Sequence, residues 1–249
     1  MKTNNMSQLI LYQPTFPKRR IGRNNDGGYI TVELPDGYDL FLSGGIAEDI
    51  SFETHFLDLY PNISCKAFDG TISSLPKQDD RIQFIKKNIG NTNSETLTNL
   101  NEYIEPYKDI FMKIDIEGHE FRLFPSLLEN NFIQKVKQLV LEIHSPADIK
   151  KVPDYYNGLS DVTEDKMFTI LKQLNQTHTL VHFHGNNACG LNTIDGIPIP
   201  NVFELTYIRN DYITEKIQNT EPLPHKIDRP NLSHISDFTF NMFPYCNPA

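Results

Sequence analysis

The stretch FMKIDIEGHEFRLF, residues 111–124, changes character halfway along its length. Its first half alternates apolar residues with Lys113 and Asp115, the pattern of a largely buried strand. Its second half gathers ionisable side chains around one glycine, namely Asp115, Glu117, His119 and Glu120. Such a cluster either begins a solvent-exposed helix or forms a functional site at the edge of a sheet. The sequence on both sides of it distinguishes these two interpretations.

Strand and helix patterns alternate on both sides of this stretch. Apolar, strand-like segments cover residues 39–45, 64–70, 81–90, 109–118 and 137–145. Segments with apolar residues at helical spacing cover residues 48–60, 95–104, 119–131 and 160–176. A polar loop with Pro146 and Pro153 precedes the last helix. This alternation predicts a parallel sheet, since parallel strands need crossover connections.

Two further strands are predicted at residues 178–187 and 201–210, and the loop between them contains glycine and proline but no helical pattern. Strands joined without a crossover pair antiparallel. The sequence therefore predicts an α/β fold with a seven-stranded, mostly parallel sheet and one antiparallel strand. We expect a core domain at 39–210, an irregular N-terminal segment at 1–38 that packs on it, and a C-terminal extension at 211–249.

Composition argues against several classes of protein. Lys and Arg number 23 against 32 Asp and Glu, a formal net charge of −9, so the chain lacks the basic field of a nucleic-acid binder. The one dense basic patch, residues 18–20, is either solvated or faces a phosphate. No apolar run approaches the roughly 18 residues of a membrane span. The three cysteines are odd in number without metal-type spacing, and no signal peptide is evident, which predicts a cytoplasmic protein without disulfides.

Ligands of an open α/β sheet bind at the carboxyl ends of its strands. The first predicted strand ends in glycines that let a ligand approach the backbone, although a tight turn alone would need the same residues. The second ends in an aspartate that can accept both hydroxyls of a ribose. We therefore expect a cofactor that contains adenosine to bind at Ser43, Gly44, Gly45, Asp69 and Gly70. The first turn lacks the GxGxxG motif of dinucleotide sites.

Asp115 ends the fourth predicted strand. It either caps the following helix or holds a cofactor's amino group, a substrate hydroxyl or a metal ion. Glu117, His119 and Glu120 are expected to decorate the start of that helix, where carboxylates meet the positive end of the helix dipole.

The last strands add further candidates. Glu142 and His144 are two positions apart and share a face, and His144 either acts as a general base or closes its strand in a polar loop. His184 leads directly into Asn186 and Asn187. Asp115, Glu142, His144 and His184 together offer oxygen and imidazole ligands for a divalent metal, although no compact ligand motif supports such a site. The chain has no GxSxG, P-loop or HExxH motif.

The run FMKIDIEGHEF, residues 111–121, resembles the K-I-D-hydrophobic-E-G-H/A-E signature of FkbM-like S-adenosylmethionine-dependent methyltransferases. FLSGGIAEDISFE, residues 41–53, resembles the first cofactor motif of a subgroup of this family. RIGRNNDGGYI, residues 20–30, resembles the N-terminal segment of that subgroup, and the later segments HFHGNN and VFELTYIR are also similar to it. These motifs follow the order of the family and span roughly residues 19–210.

This resemblance implies a Rossmann-like class I methyltransferase fold in which S-adenosylmethionine lies over the ends of the first two strands. The residues that it assigns to the cofactor are Gly44, Gly45 and Asp49 for the amino-acid and ribose portions, Asp69 for the ribose hydroxyls, Asn88, Ile89 and Gly90 for the adenine, and Asp115 for the reactive centre.

Members of the FkbM-like family are generally taken to methylate oxygen, often on sugars or polyketides. The resemblance thus implies methyl transfer to a hydroxyl of a sugar, nucleotide sugar or glycan. The expected base is His144, with Asp115 and His184 as rivals, and the residues expected to bind the acceptor are Glu142, Asn186 and Asn187. Two other interpretations stay open: a binding protein that keeps this fold without turnover, and a nucleotide-dependent oxidoreductase, which the missing GxGxxG motif disfavours.

Overall fold

The computed structural model describes residues 5–247 and is built around one seven-stranded sheet. The described strands are β1 Lys18–Ile21, β2 Tyr29–Val32, β3 Leu40–Gly44, β4 Ser64–Phe68, β5 Ile82–Ile85, β6 Asn88–Ile89, β7 Leu97–Thr98, β8 Ile110–Ile114, β9 Val136–His144, β10 His178–Gly185, β11 Leu191–Ile194, β12 Ile197–Pro200 and β13 Val202–Arg209. The described α-helices are α1 Ser51–Leu59, α2 Asn101–Ile104, α3 Glu120–Glu129, α4 Pro146–Lys151 and α5 Glu164–Thr177.

The large sheet has the strand order β10-β13-β9-β8-β3-β4-β5. β13 runs antiparallel to both of its neighbours, and the remaining pairs of this sheet are parallel. The predicted mostly parallel sheet with one antiparallel strand is therefore confirmed, as is the Rossmann-like class I methyltransferase topology. Because β3, β4, β8 and β9 are parallel, their carboxyl ends lie along one edge, where ligands of such folds bind.

Helices cover both faces of this sheet. Successive residues of a strand point to opposite faces. Leu40 and Leu42 of β3 belong to one buried cluster together with apolar side chains of α3 and α5, whereas Phe41 belongs to a second cluster with side chains of α1. A strand covered on both faces needs apolar residues throughout, which explains the nearly continuous hydrophobic runs of β3 and β8.

The N-terminal segment is more regular than the sequence predicted, because β1 and β2 pair in an antiparallel hairpin. Side chains of the large sheet hold this hairpin: Gln138 Nε2 donates to Val32 O at 2.9 Å, and Thr206 Oγ1 donates to Ile30 O at 2.5 Å. The prediction of an irregular segment is wrong here because each strand has only 4 residues, too few to show a clear alternating pattern in the sequence. The loop of the hairpin lies over the carboxyl edge of the large sheet.

Three local predictions are also wrong. Residues 95–104 do not form one helix, since β7 pairs with β6 and only Asn101–Ile104 is helical. The third sheet strand accordingly ends at Ile85, before the residues assigned to its end. The loop predicted after β9 contains α4, which has Ser145 as its N-cap and a proline in its first turn. Both features favour the start of a helix.

Residues 211–247, the described part of the C-terminal extension, pack against β10. The rings of Phe240 and Tyr245 lie 6.0 and 4.6 Å from the ring of Phe183. Tyr245 Oη donates to Pro198 O, in the hairpin of β11 and β12, at 2.8 Å. The extension therefore covers one side of the antiparallel end of the sheet.

Within residues 5–247, none of the helices is long and apolar enough to cross a membrane. All three cysteines belong to the described chain, and each is a free thiol. The prediction that they form no disulfide is therefore confirmed, whereas a cytoplasmic location stays a prediction.

Candidate functional site

A cavity of about 870 Å³ opens at the carboxyl edge of the large sheet. Its walls are the turn after β3, the ends of β4 and β8, and the short strand β6. The loop of the β1–β2 hairpin closes one side through Arg23, Asp26 and Gly27. Small-molecule sites have this size and concave shape, and they occur at this edge of α/β sheets. The cavity is therefore the candidate functional site.

The glycine turn after β3 touches the turn after β8. Gly45 has φ +81°, and a Cβ added to it would lie 1.6 Å from Asp115 O. A Cβ at Gly44 would lie 2.5 Å from Ile89 Cδ1. No larger residue fits at Gly45 without moving the backbone, and a larger residue at Gly44 would have to displace the side chain of Ile89.

Ser43 and Asp49 support this turn. Ser43 Oγ donates to Glu53 Oε1 at 2.6 Å beneath the cavity floor. Asp49 lines the cavity, but its carboxylate accepts hydrogen bonds from the backbone and hydroxyl of Ser51 at the start of α1. It also lies 2.9 Å from Arg23 Nε and so joins the hairpin loop to the turn.

Asp69 lines the cavity at the end of β4, but its carboxylate already accepts four hydrogen bonds. Oδ2 accepts the backbone N–H groups of Ile46 and Ala47, and Oδ1 accepts the N–H and hydroxyl of Thr71. Burial alone would raise the pKa of Asp69, but these hydrogen bonds hold it below its ordinary value. Asp69 thus fixes the glycine turn, and its binding of a ribose stays a prediction.

The wall expected to meet the adenine comes from the β6–β7 ladder. Asn88 and Ile89 line the cavity, together with Leu97 from β7. Gly90 packs behind them, where an added Cβ would lie 3.1 Å from Leu97 Cδ1. Gly70 allows this ladder to approach, since a Cβ there would lie 2.5 Å from Asn88 Oδ1.

Lys113 is a cavity residue that the sequence analysis missed. It lies inside β8 and is only 6% exposed, yet it lines the cavity. Its Nζ donates to Gly45 O at 3.0 Å and lies 3.8 Å from Glu53 Oε1. A lysine in the middle of a buried strand is the sequence signal for this residue, because lysine is almost never buried without a partner.

Four ionisable residues meet at the ends of β8 and β9: Asp115, Glu117, Glu142 and His144. We call them the acidic cluster. His144 Nε2 lies 3.3 Å from Glu117 Oε2 and 3.6 Å from Glu142 Oε2. Asp115 Oδ2 accepts a hydrogen bond from Tyr29 Oη, in the N-terminal hairpin, at 2.7 Å. Asp115 and Glu117 are the members that line the cavity.

Glu117 belongs to this cluster although the sequence analysis placed it with the residues that decorate the next helix. It has φ +55°, a conformation that few residues other than glycine adopt, and this turn directs its side chain to His144. Burial raises the pKa of Glu117. Glu120, in contrast, lies at the start of α3 as expected and accepts the N–H of Ile116 at 2.8 Å.

His144 is held on its other side by Asp148 and Tyr156. Its Nδ1 lies 3.0 Å from Asp148 Oδ2 and 2.7 Å from Tyr156 Oη. Burial alone would lower the pKa of His144, but the nearby carboxylates of Asp148 and Glu142 raise it to about 12. A ring with this pKa carries both protons at neutral pH, and in this arrangement it has no free nitrogen to accept a proton.

Three other predicted site residues lie outside the lining of the cavity. The ring nitrogens of His184 lie 3.3 Å from Glu204 Oε2 and 2.9 Å from Asp237 Oδ2. The side chain of Asn187 donates to two backbone carbonyls of the C-terminal extension. Asn186 donates to Glu142 Oε1, behind the acidic cluster, at 3.3 Å. His184 and Asn187 therefore connect the end of β10 to the extension.

The metal ligands predicted from sequence are brought together only in part. Asp115, Glu117 and His144 each offer one ligand atom, and these atoms all lie within 4.8 Å of one another. Glu142 and His184, which were predicted from the sequence as further ligands, are not in this group, and Glu117 takes their place.

Residues 16–176 match the Methyltransferase FkbM domain, and this match covers well over half of the chain. The chain belongs to the FkbM methyltransferase family. The resemblance carried by FMKIDIEGHEF and the motifs around it is therefore confirmed, and the protein is an S-adenosylmethionine-dependent methyltransferase.

Several solved structures are similar to this FkbM-family protein. A chain of the fibrillarin/Nop5p complex is 12% identical over 70% of this chain and 73% of its own, with a TM-score of 0.40. The plantazolicin methyltransferase BpumL in complex with SAH is 11% identical over 69% and 76%, with a TM-score of 0.36. The precorrin-6y C5,15-methyltransferase from Geobacter metallireducens GS-15 is 10% identical over 70% and 81%, with a TM-score of 0.36. No curated protein matches the chain. The fold rests on the strand order and the family on the domain match.

The residues of the FkbM-family cavity suit S-adenosylmethionine, which has a sulfonium, an ammonium and a carboxylate at one end and adenosine at the other. Gly45 lets the turn after β3 pack directly on the backbone of Asp115, so that this end of the cavity is lined by backbone. The ammonium of Lys113 suits the carboxylate of the cofactor, and the carboxylates of Asp115 and Glu117 suit its positive groups. Ile89 and Leu97, on the wall formed by β6 and β7, suit the flat adenine base.

Proposed function

We propose that this FkbM-family protein transfers the methyl group of S-adenosylmethionine to a hydroxyl of a sugar, nucleotide sugar or glycan. The observation that carries this proposal is the acidic cluster beside the glycine turn. A hydroxyl becomes a good nucleophile as a base takes its proton. Two carboxylates of the cluster, Asp115 and Glu117, line the cavity and can reach such a hydroxyl.

The cofactor is proposed to lie along the cavity from β6 to β8. Its adenine would contact Asn88 and Ile89, and its amino-acid end would lie at Gly45 and Lys113. Ile46 and Ala47 already occupy one oxygen of Asp69. We therefore assign Asp69 to the positioning of the glycine turn. A ribose hydroxyl that binds Asp69 would do so in addition to these hydrogen bonds.

The proton acceptor is proposed to be Asp115, one of the two rivals to His144 named from the sequence. His144 already carries its proton, because its pKa is raised to about 12 by Asp148 and Glu142. Asp115 lines the cavity, and Tyr29 occupies only one of its two carboxylate oxygens. The positive ring of His144 would hold Glu117 and Glu142 in place rather than take part in proton transfer.

Bound S-adenosylmethionine supplies a methyl group that is activated by the positive charge on sulfur. Asp115 takes the proton of the acceptor hydroxyl while the hydroxyl oxygen forms its bond to the methyl carbon. When bound, S-adenosylmethionine would give up its methyl group as the bond from that carbon to sulfur breaks, with the electron pair staying on sulfur in S-adenosylhomocysteine. The glycine turn and Lys113 would hold it so that the methyl group faces the hydroxyl oxygen beside Asp115, and such positioning supplies much of the rate in displacements of this kind.

The acceptor is proposed to be neutral at the point where it meets the cluster. The carboxylates of Asp115 and Glu117 would repel a phosphate placed beside them. A nucleotide sugar would therefore have to present its sugar to the cluster and keep its phosphates away from it.

The test is the release of S-adenosylhomocysteine from purified protein that is given S-adenosylmethionine and a panel of sugars, nucleotide sugars and glycans. The product is then analysed by mass spectrometry to locate the methyl group. A methyl ether on one member of the panel supports the proposal. A methyl group found on nitrogen or carbon would sink it.

The two alternative functions give different results in a calorimetric titration. A binding protein without turnover would take up S-adenosylmethionine and S-adenosylhomocysteine but release no product with any acceptor. A nucleotide-dependent oxidoreductase would bind NAD in preference to either sulfur compound.

A further inference from the structure

One nitrogen of His144 is buried, points into the acidic cluster and makes no hydrogen bond. His144 is 6% exposed, and its Nε2 has no hydrogen-bond partner among residues 5–247. The nearest oxygens belong to two carboxylates, Glu117 at 3.3 Å and Glu142 at 3.6 Å. A buried nitrogen without a hydrogen bond is rare in folded proteins and calls for a partner.

The other nitrogen of His144 is fixed in the way typical of a histidine that binds a metal. Nδ1 lies 3.0 Å from the carboxylate of Asp148, and Tyr156 Oη donates to the same carboxylate at 2.6 Å. Metal-binding histidines almost always donate one ring nitrogen to a carboxylate or carbonyl, which aims the lone pair of the other nitrogen at the metal. Asp148 would thus aim Nε2 at the cluster, and a cation bound there would displace the proton that Nε2 carries in its absence.

The backbone of Glu117 is strained where its side chain joins this cluster. Its φ of +55° belongs to the left-handed region, which costs energy for any residue with a Cβ. Such conformations persist where the surrounding structure fixes them, often at ligand sites. The strain keeps the carboxylate of Glu117 at the cavity wall beside Asp115 and His144.

We propose that Asp115, Glu117 and His144 form the protein side of a divalent cation site at the wall of the cavity. The cation would be of the Mg²⁺ or Mn²⁺ class, because two carboxylates and one imidazole are hard ligands without a thiolate. Three protein ligands leave open positions of an octahedral ion toward the cavity.

The distances fit such an ion after a small movement. The three ligand atoms lie within 4.8 Å of one another. Ligands of an octahedral Mg²⁺ with a bond length of roughly 2.1 Å are roughly 4.2 Å apart when opposite and roughly 3.0 Å apart when adjacent. The side chain of Glu117 is 52% exposed, so its carboxylate is free to move closer to the other two ligands. Glu142, which is buried behind His144, lies next to the site.

The cation would bind the oxygen of the acceptor hydroxyl and lower its pKa. This role rests on the proposed function, whereas binding of the cation does not. The proton still passes to Asp115, because each carboxylate oxygen has two lone pairs and the oxygen that does not hold the cation can take the proton beside its hydrogen bond from Tyr29. The bonds that form and break in methyl transfer are those described above.

The binding test uses the full chain without cofactor or acceptor, stripped of metal with a chelator. Mn²⁺ is titrated into it, and free Mn²⁺ is followed by electron paramagnetic resonance. We expect one site, and we expect Glu117→Gln to weaken it at least tenfold. Glu129→Gln, the same change at an exposed position at the far end of α3, should bind like the unchanged protein. Absence of a site, or equal affinity in Glu117→Gln, would overturn the proposal.

Asp148→Asn tests the orientation of the ring without removing a ligand. Changes to such supporting residues typically weaken metal binding 10- to 100-fold. Circular dichroism first confirms that each variant is folded. If folded Asp148→Asn binds Mn²⁺ as tightly as the unchanged protein, the assignment of His144 as a ligand is wrong.

A parallel titration with S-adenosylhomocysteine separates this inference from the proposed function. Cofactor binding without Mn²⁺ binding would remove the cation site and leave the methyltransferase proposal intact. Mn²⁺ binding with methyl transfer that is unchanged by a chelator would remove the role of the cation in activating the acceptor.

Discussion

Substituting Lys113 with methionine is expected to weaken both the fold and cofactor binding, and a second substitution separates these two effects. Lys113 Nζ lies 3.8 Å from Glu53 Oε1, and the two side chains are 7% and 1% exposed. Lys113→Met leaves the Glu53 carboxylate buried without its cation, and breaking a buried pair in this way costs roughly 3–5 kcal/mol of unfolding free energy. It also removes the proposed partner of the cofactor's carboxylate. A hydrogen bond to a charged group is worth about 1.5–3 kcal/mol, or roughly 10- to 150-fold in affinity.

The double variant Lys113→Met, Glu53→Gln removes both buried charges. The amide of the new glutamine can still accept the hydrogen bond that Ser43 Oγ donates to Glu53 at 2.6 Å. We therefore expect the double variant to regain most of the lost unfolding free energy while its affinity for the cofactor stays low. Lys172→Met, at an exposed position on α5, is the matched control and should change neither quantity.

Urea unfolding followed by circular dichroism measures the stability of these variants, and calorimetric titration with S-adenosylhomocysteine measures their affinity. If the double variant regains both its stability and its affinity, Lys113 acts only through the fold, and its contact with the cofactor is refuted. If Lys113→Met alone loses neither, the reasoning about its burial is wrong as well.

Two further changes test other parts of the site, and a third tests a buried ion pair outside it. Asp115→Asn should slow methyl transfer at saturating cofactor by roughly 100- to 10,000-fold, and an unchanged rate under that condition would exclude it as the base. Gly45→Ala, at φ +81°, should lower the urea midpoint and the affinity together. Burial would raise the pKa of Asp228, but His182 and His184 hold it at about 2, below the ordinary 3.8. This shift contributes roughly 2 kcal/mol to the unfolding free energy above about pH 4, and the contribution is lost toward pH 2. Asp228→Asn should therefore reduce the dependence of the unfolding free energy on pH between about 4 and 2. An unaltered pH dependence in this range would contradict the assignment.

The sheet could be predicted from the sequence because its physical causes are local. Strands covered by helices on both faces must be apolar along their length, which locates β3 and β8. The missing helix between β10 and β13 implies one antiparallel strand, since parallel pairing needs a crossover. The direction of the strands alone predicts which edge of the sheet carries the site. Gly45, Asp69, Asp115 and His144 all lie at that edge.

The partners of the site residues could not be predicted, because they come from distant parts of the chain. His184 meets Glu204, which is 20 residues away, and Asp237, which is 53 residues away. The four donors to Asp69 come from two separate turns. Glu117 reaches His144 only because its φ is positive, and no spacing rule anticipates that. Lys113 is visible as a lysine in an apolar run, but its cavity exists only in the folded chain.

The match to the FkbM domain ends at residue 176, whereas the large sheet continues to Arg209. β13 lies beside β9 and pairs with it from Gln138 to His144. A protein shortened at residue 176 would leave the backbone N–H and C=O groups of β9 open along a flat, mostly apolar edge. Such edges recruit other strands, so the shortened protein is expected to self-associate rather than fold. The part of the chain that identifies its family is therefore shorter than the part that must be produced to obtain it as a folded molecule.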